Sequence, residues 1–328
     1  MTKYLDRTVE PLVVELLREL PALLIVGPRA TGKTTTASRH AATIIRLDLP
    51  AEAAAFRADP DAALRGLKEP VLLDEWQAVP EVLGAVKRAV DADSRPGRYL
   101  LTGSVRADLD AETWPGTGRL VRVPLYGMTV AEQLGKPGST PLLDRLARGE
   151  NLGIPADPPD LRGYVELALR SGFPEAALSL SDATRSRWID SYLDQLLTRD
   201  AVQLEALRDP DRIRRYFEAY ALNSAGVVED KTLYEAAGIN RKTAIAYEQL
   251  LINLLIVDRV PSWTSNRLKR LVLSPKRYLV DPALLSGILR LDVNAVLRDG
   301  NLLGRLLDTF VASQLRAELT VAQSRPRL

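Results

Sequence analysis

The chain has 328 residues, 46% hydrophobic and 26% charged, which is the balance of a folded protein and more length than one hydrophobic core usually serves. Lysine and arginine number 44 against 42 acids, so the net charge of +2 sets up no long-range field and any argument for nucleic acid must be local. With no cysteine and one histidine, His40, the chain lacks the parts for disulfides, Cys or Cys/His zinc sites, thiol nucleophiles and most Ser-His-Asp arrangements.

The first 134 residues alternate short β-rich runs with helical stretches. The strand candidates are Ala22 to Val26, Thr43 to Asp48, Val71 to Asp74, Arg98 to Thr102 and Arg119 to Pro124. That alternation predicts an α/β fold, a parallel sheet in three layers with helices on both faces.

Directly after the first strand comes GPRATGKT, formed by Gly27, Pro28, Arg29, Ala30, Thr31, Gly32, Lys33 and Thr34, with Thr35 following as a helix begins. It is a complete Walker A motif. The glycines let the backbone N–H groups wrap a phosphate, the lysine reaches the β- and γ-phosphates, and the threonine hydroxyl ligates Mg²⁺. ATP and Mg are therefore the expected cofactors. VLLDEW, Val71 to Trp76, is an apolar strand ending in two carboxylates. It reads as a Walker B, with Asp74 on the magnesium and Glu75 orienting or deprotonating the attacking water.

The strand RYLLTGS ends in hydroxyls. Ser104, with Thr102 next, is the candidate to sense the γ-phosphate or the water. Arg119 is the candidate for the arginine that meets transition-state charge, within or between subunits, and Arg29, Arg106 and Arg122 compete for that role.

Residues 135–160 are dense in glycine and proline and are expected to be the linker. Residues 161–225 read as helical, with Leu167, Leu178, Trp188, Tyr192, Leu196, Leu204 and Phe217 as core positions. Residues 226–300 read as a winged helix-turn-helix. Thr232 to Ala237 is its first helix and Gly238 its turn, and Asn240 caps a second helix from Arg241 to Leu251. A wing follows, with strands Ile256 to Trp263 and Leu271 to Val280. Arg241, Lys242, Lys269 and Arg270 are its candidate DNA-phosphate contacts, with a protein partner or a second copy of the chain as the alternative occupant. The run Leu250 to Val257, broken by Asn253, is too short to span a membrane and the N-terminus MTKYLDRTVE is charged, so the expected location is cytoplasmic. In residues 301–328 an apolar stripe of Leu303, Leu306, Leu307, Phe310, Val311 and Leu315 predicts an amphipathic helix, packed on the preceding helices or on a second copy of the chain.

The order Walker A, DE-type Walker B, LTGS and GRLVRVPLYGMTVAE resembles prokaryotic AAA-type ATPases whose C-terminal half is a domain of unknown function. SGFPEA, RSRWIDSYLDQLLTRD, VPSWTSNRLKR and SPKRYLVDPALLSGIL extend the resemblance over nearly the whole chain. It implies an ATPase joined to a winged helix, with roles around DNA or defence. The family tends to continue into a restriction-endonuclease-like domain, beginning with a helix like GRLLDTFVASQLRAEL that carries Glu where Asp308 stands here. Because the sequence ends at Leu328, the expectation is a truncated remnant of that domain and no nuclease activity. The alternative to a nucleotide-driven switch is a non-hydrolysing ATP-binding scaffold.

Overall fold

A computed structural model describes residues 4–104, 118–138, 140–153, 156–200, 209–266 and 273–326, with backbone only at 199–200. Leu204, Arg106, Lys269 and Arg270 lie outside the described residues. The chain divides into two compact units, Asp6–Leu125 and, in the main, Tyr126–Leu328.

In the first unit α1 (Glu10–Glu19) leads into β1 (Ala22–Val26), five apolar residues between Pro21 and Gly27. Then come α2 (Lys33–Ser38), β2 (Thr43–Arg46), α3 (Pro50–Ala58), α4 (Pro60–Leu64), β3 (Val71–Asp74), α5 (Val82–Ala92), β4 (Tyr99–Gly103) and β5 (Val121–Pro124). The sheet is parallel in the order β2-β3-β4-β1-β5. Every residue of β3 and β4 is buried, as central strands covered on both faces require, while the edge strands β2 and β5 carry exposed side chains. On α5, Val82, Val86 and Val90 recur every four residues and pack with Leu24, Leu73 and Leu101 of the sheet. The carboxyl ends of β1, β4 and β3 thus lie side by side, with β4 between the two strands that precede the Walker motifs.

In the second unit the fold continues with α6 (Val130–Gln133), α7 (Leu142–Ala147), α8 (Leu161–Leu169), α9 (Pro174–Leu178), α10 (Asp182–Gln195) and α11 (Pro210–Leu222). Compact packing passes to this unit at Tyr126, ahead of the glycine/proline segment that the sequence marks as the linker. Among its described residues that segment includes a helix. Pro141 leads into α7, whose Asp144 carboxylate accepts hydrogen bonds from the Gln323 and Ser324 backbone N–H groups (2.9 and 3.0 Å) and the Ser324 hydroxyl (2.6 Å). Leu196 and Phe217 are core, whereas Leu167, Trp188 and Tyr192 are half-buried around it, and Trp188 and Tyr192 stack beside Phe173.

Two of the segments that carry the family resemblance meet in one polar knot. Asp281, fully buried among helices, accepts from the Ser171 hydroxyl (2.9 Å) and from the N–H groups of Gly172 (2.7 Å) and Ala283 (2.8 Å). Burial pushes its carboxyl upward from the usual range, and these donors oppose the shift.

Next come α12 (Asp230–Ala236), a turn with Gly238 at φ +65°, and α13 (Arg241–Asn253), whose first turn is capped by Asn240 Oδ1 accepting from Thr243 N–H at 2.9 Å. β6 (Val257–Val260) and β7 (Lys276–Leu279) pair antiparallel, and Gly226 bridges to Arg277 on the far side of β7. The helix-turn-helix and ribbon stand where the sequence places the winged helix. Both strands are shorter than expected: Pro261 follows β6 directly and Pro275 precedes β7, and neither has an N–H to extend the ladder.

Chain order closes with α14 (Pro282–Leu289), α15 (Val293–Arg298) and α16 (Gly300–Val321). With 22 residues α16 is about 33 Å long. It packs on α8, α14, α15 and β7, so the stripe is covered within the chain. Leu306 and Phe310 are buried, but Val311 is exposed and does not belong to the covered face. Asp308 accepts from Lys276 Nζ (2.8 Å) and the Tyr278 hydroxyl (3.0 Å), stitching the helix to the ribbon. Among the described residues no helix is long and apolar enough to cross a membrane.

Candidate nucleotide-binding site

Between β1 and α2 the chain must turn tightly with its N–H groups facing inward, and two glycines permit this. Gly32 sits at φ +88°, in the left-handed region, and a Cβ on Gly27 would overlap the Leu125 carbonyl oxygen. The loop is braced from inside: Thr31 Oγ1 donates to the Pro28 carbonyl (2.9 Å), and Nη1 of the buried Arg7 donates to the Thr31 carbonyl (2.8 Å).

Lys33 is buried, and its ammonium donates to the Pro28 carbonyl at 2.7 Å. Burial lowers its pKa to about 8, with Glu75 and Asp74 opposing and Arg29 adding to the fall. A buried ammonium at the start of a helix, on a loop of inward N–H groups, is suited to bind an anion.

Across from it, Asp74 at the end of β3 is buried and its Oδ1 accepts from Thr34 Oγ1 (2.7 Å) and from Thr102 Oγ1 of β4. Thr34 and Asp74 thus present oxygens at one point. No cluster of three or more metal-binding side chains exists among the described residues. The Thr34 hydroxyl and the Asp74 carboxylate are the kind of oxygens a hard cation such as Mg²⁺ takes beside phosphate and water.

Glu75 follows in the left-handed conformation (φ 54°, ψ 51°), uncommon for a residue with a Cβ. Its N–H donates to Thr102 Oγ1 at 3.3 Å. Both carboxylate oxygens are engaged: Ser104 Oγ lies 2.9 Å from Oε1 and 3.2 Å from Oε2, and Gln77 Nε2 donates to Oε2. Gly103 makes room for this packing, since a Cβ there would come 2.6 Å from Trp76 Nε1 and 3.0 Å from Gln77 Oε1. Both of those atoms are buried without a hydrogen-bond partner among the described residues.

Lys33, Thr34, Asp74, Glu75, Thr102 and Ser104 come together as the sequence places them. Two hydroxyls divide the work, Thr102 of β4 on Asp74 and Ser104, just after the strand, on Glu75. Arg119 is not brought to the phosphate loop of its own chain. It precedes β5, at the end of the sheet opposite Gly27, and its Nε donates to Asp91 Oδ1 at 2.8 Å. Reading from the sequence misses Gln77 and Arg7. Gln77 follows the acidic pair by two residues, a spacing that could have drawn notice, whereas the reach of Arg7 to Thr31 over 24 positions leaves no local trace.

Residues 19–134 match the family model described as "AAA domain", and residues 161–295 match a domain of unknown function (DUF8612). The N-terminal part is an AAA-type P-loop domain. The chain is also similar to the uncharacterized proteins Mb2031c of Mycobacterium bovis and Rv2008c of Mycobacterium tuberculosis. Each is 29% identical over 307 residues, 92% of this chain and 64% of theirs, so the chain spans less than two thirds of the length of these relatives. The fold resembles the Walker-type ATPase PABY2304 of Pyrococcus abyssi, with a TM-score of 0.50 and 14% identity over 88% of this chain and 96% of that one. At the level of the family, an AAA domain with both Walker motifs is a nucleotide-binding ATPase.

Proposed function

We propose that the chain binds Mg-ATP in the AAA domain, hydrolyses it slowly, and uses the cycle to switch a helix-turn-helix and ribbon module that docks on duplex DNA. The observation that supports hydrolysis is the juxtaposition of Lys33, Thr34, Asp74 and Glu75 at the carboxyl ends of β1 and β3. Gly27 to Thr35 wrap the phosphates with backbone N–H groups, and Lys33 holds their oxygens. Thr34 and Asp74 hold Mg²⁺, which supplies neutralising charge on the phosphates. Glu75 accepts a proton from, or orients, the attacking water, and Ser104 positions that carboxylate. Arg119, turned to Asp91 in its own chain, is assigned to a neighbouring subunit's site.

Glu75→Gln should keep ATP affinity while phosphate release falls by about 10² or more, the scale of a lost general base. Normal turnover in that variant would show that Glu75 is not the base.

The engagement of both Glu75 oxygens favours a second reading, an ATP-holding scaffold that does not turn over. Phosphate release indistinguishable from that of Glu75→Gln, with partner binding unchanged by nucleotide, would establish it.

A further inference from the structure

The outward face of α13 carries a pattern that neither packing nor solubility requires. Its inner face contacts α11, α12 and β6. Outside, Arg241, Ile245 and Gln249 are exposed, Asn253 is half-buried, and the four recur every fourth residue in one row. The row covers about 18 Å of helix, or about five base pairs of B-DNA. Ile245 has 57% of its surface exposed on a helix that has three packing partners. Gln249 Nε2 donates to Asn253 Oδ1 at 3.0 Å, which fixes the two amides and leaves Gln249 Oε1 as an acceptor beside Asn253 Nδ2 as a donor.

Charge decides what the face fits. The helix has one carboxylate, Glu248, and it is buried and matched by Arg277 and Arg259. The acids of α12 are matched as well, Asp230 by Arg277 and Glu235 by Lys231 at 3.7 Å. Glu229, just before α12, is exposed, while Lys242 adds a second exposed cation beside Arg241 in the first turn of α13. The outward face of α13 is cationic at one end, free of negative charge, and apolar then amide-bearing along its length.

We propose that this row enters the major groove of duplex DNA and reads a step containing A·T, a proposal that rests on the DNA docking given above. Arg241 and Lys242 meet phosphates, the Ile245 side chain covers a thymine methyl, and the Gln249 and Asn253 amides engage adenine, whose N6–H₂ donor and N7 acceptor match an amide acceptor and donor.

The test is selection of the full chain against a pool of random duplexes, followed by binding titrations. The wild type should prefer its selected A·T-containing site about 5- to 150-fold over the same duplex with that step changed to G·C. Gln249→Ala should erase the preference while leaving affinity for the G·C duplex within about twofold, and Lys242→Ala should weaken both duplexes alike and flatten the salt slope. Gln249 is exposed, and an unchanged melting curve and ATP affinity would show that the variant folds. Tight, salt-sensitive but sequence-blind binding would overturn the readout and leave DNA docking standing. A preference that survives Gln249→Ala would overturn the readout too, and so would a preference for duplex RNA, whose narrow major groove excludes a helix. Absence of duplex binding at any salt would overturn both the readout and the docking.

Discussion

Glu75 is held twice over, by Ser104 Oγ and by Gln77 Nε2, and its backbone sits in a conformation that most side chains avoid. A carboxylate whose oxygens already accept hydrogen bonds is a weaker acceptor for the proton of water, so under the proposed hydrolysis the Gln77 contact would restrain Glu75 and the Ser104 contact would aim it. Gln77→Ala should therefore raise the maximal rate of phosphate release severalfold with little change in KM, whereas Ser104→Ala should lower it. A fall in rate for Gln77→Ala would show that the amide positions the base instead of restraining it. The Walker residues are legible in sequence because their spacing is fixed by the shape of a phosphate. The grip on Glu75 is not, because it depends on which way a short turn after β3 presents Gln77 and on Gly103 leaving room for it.

Among the elements, β7 is tied to both helices of the turn through Arg277. This side chain is almost fully buried and bonds Glu248 of α13, Asp230 of α12 and the Val228 carbonyl (2.6 Å). Removing one partner of a buried pair strands the other, so Glu248→Ala should cost about 3–5 kcal/mol and lower the urea midpoint of the second unit. Arg259→Ala, which removes the half-exposed partner, should cost far less. Equal midpoints for Glu248→Ala and the wild type would show that Asp230 and the Val228 carbonyl suffice for Arg277. The helices and the ribbon were readable from apolar spacing, the Asn240 cap and the Gly238 turn. The strand lengths were not, because apolar residues on either side of Pro261 and Pro275 read as continuous strand although the ladder stops at each proline. The inward turn of Glu248 was hidden for a related reason: sequence spacing shows an acid on a helix but not the arginines of β6 and β7 that draw it inside.

For the whole molecule, the limits of similarity and the limits of folding differ. The AAA family model runs to residue 134 although packing changes hands at Tyr126, and the domain of unknown function stops at residue 295 although α16 covers its core through Leu306 and Phe310. A fragment of residues 161–295 should expose that core and bind a hydrophobic dye or aggregate, whereas residues 126–328 should unfold cooperatively. Cooperative, dye-free unfolding of the shorter piece would refute the need for α16. The sequence stripe did foresee a covered helix, but the exposure of Val311 and the attachment of Asp144 to residues beyond α16 depend on neighbours far away in the chain.

The Arg277 cluster also has a mechanical meaning. Because one guanidinium ties β7 to both helices of the turn, the ribbon and α13 cannot pivot independently without breaking a buried ion pair. A torque applied at the ribbon would reach Gln249 as rotation of a single rigid lever, so whatever grasps the ribbon also sets the angle at which the helix presents its amides.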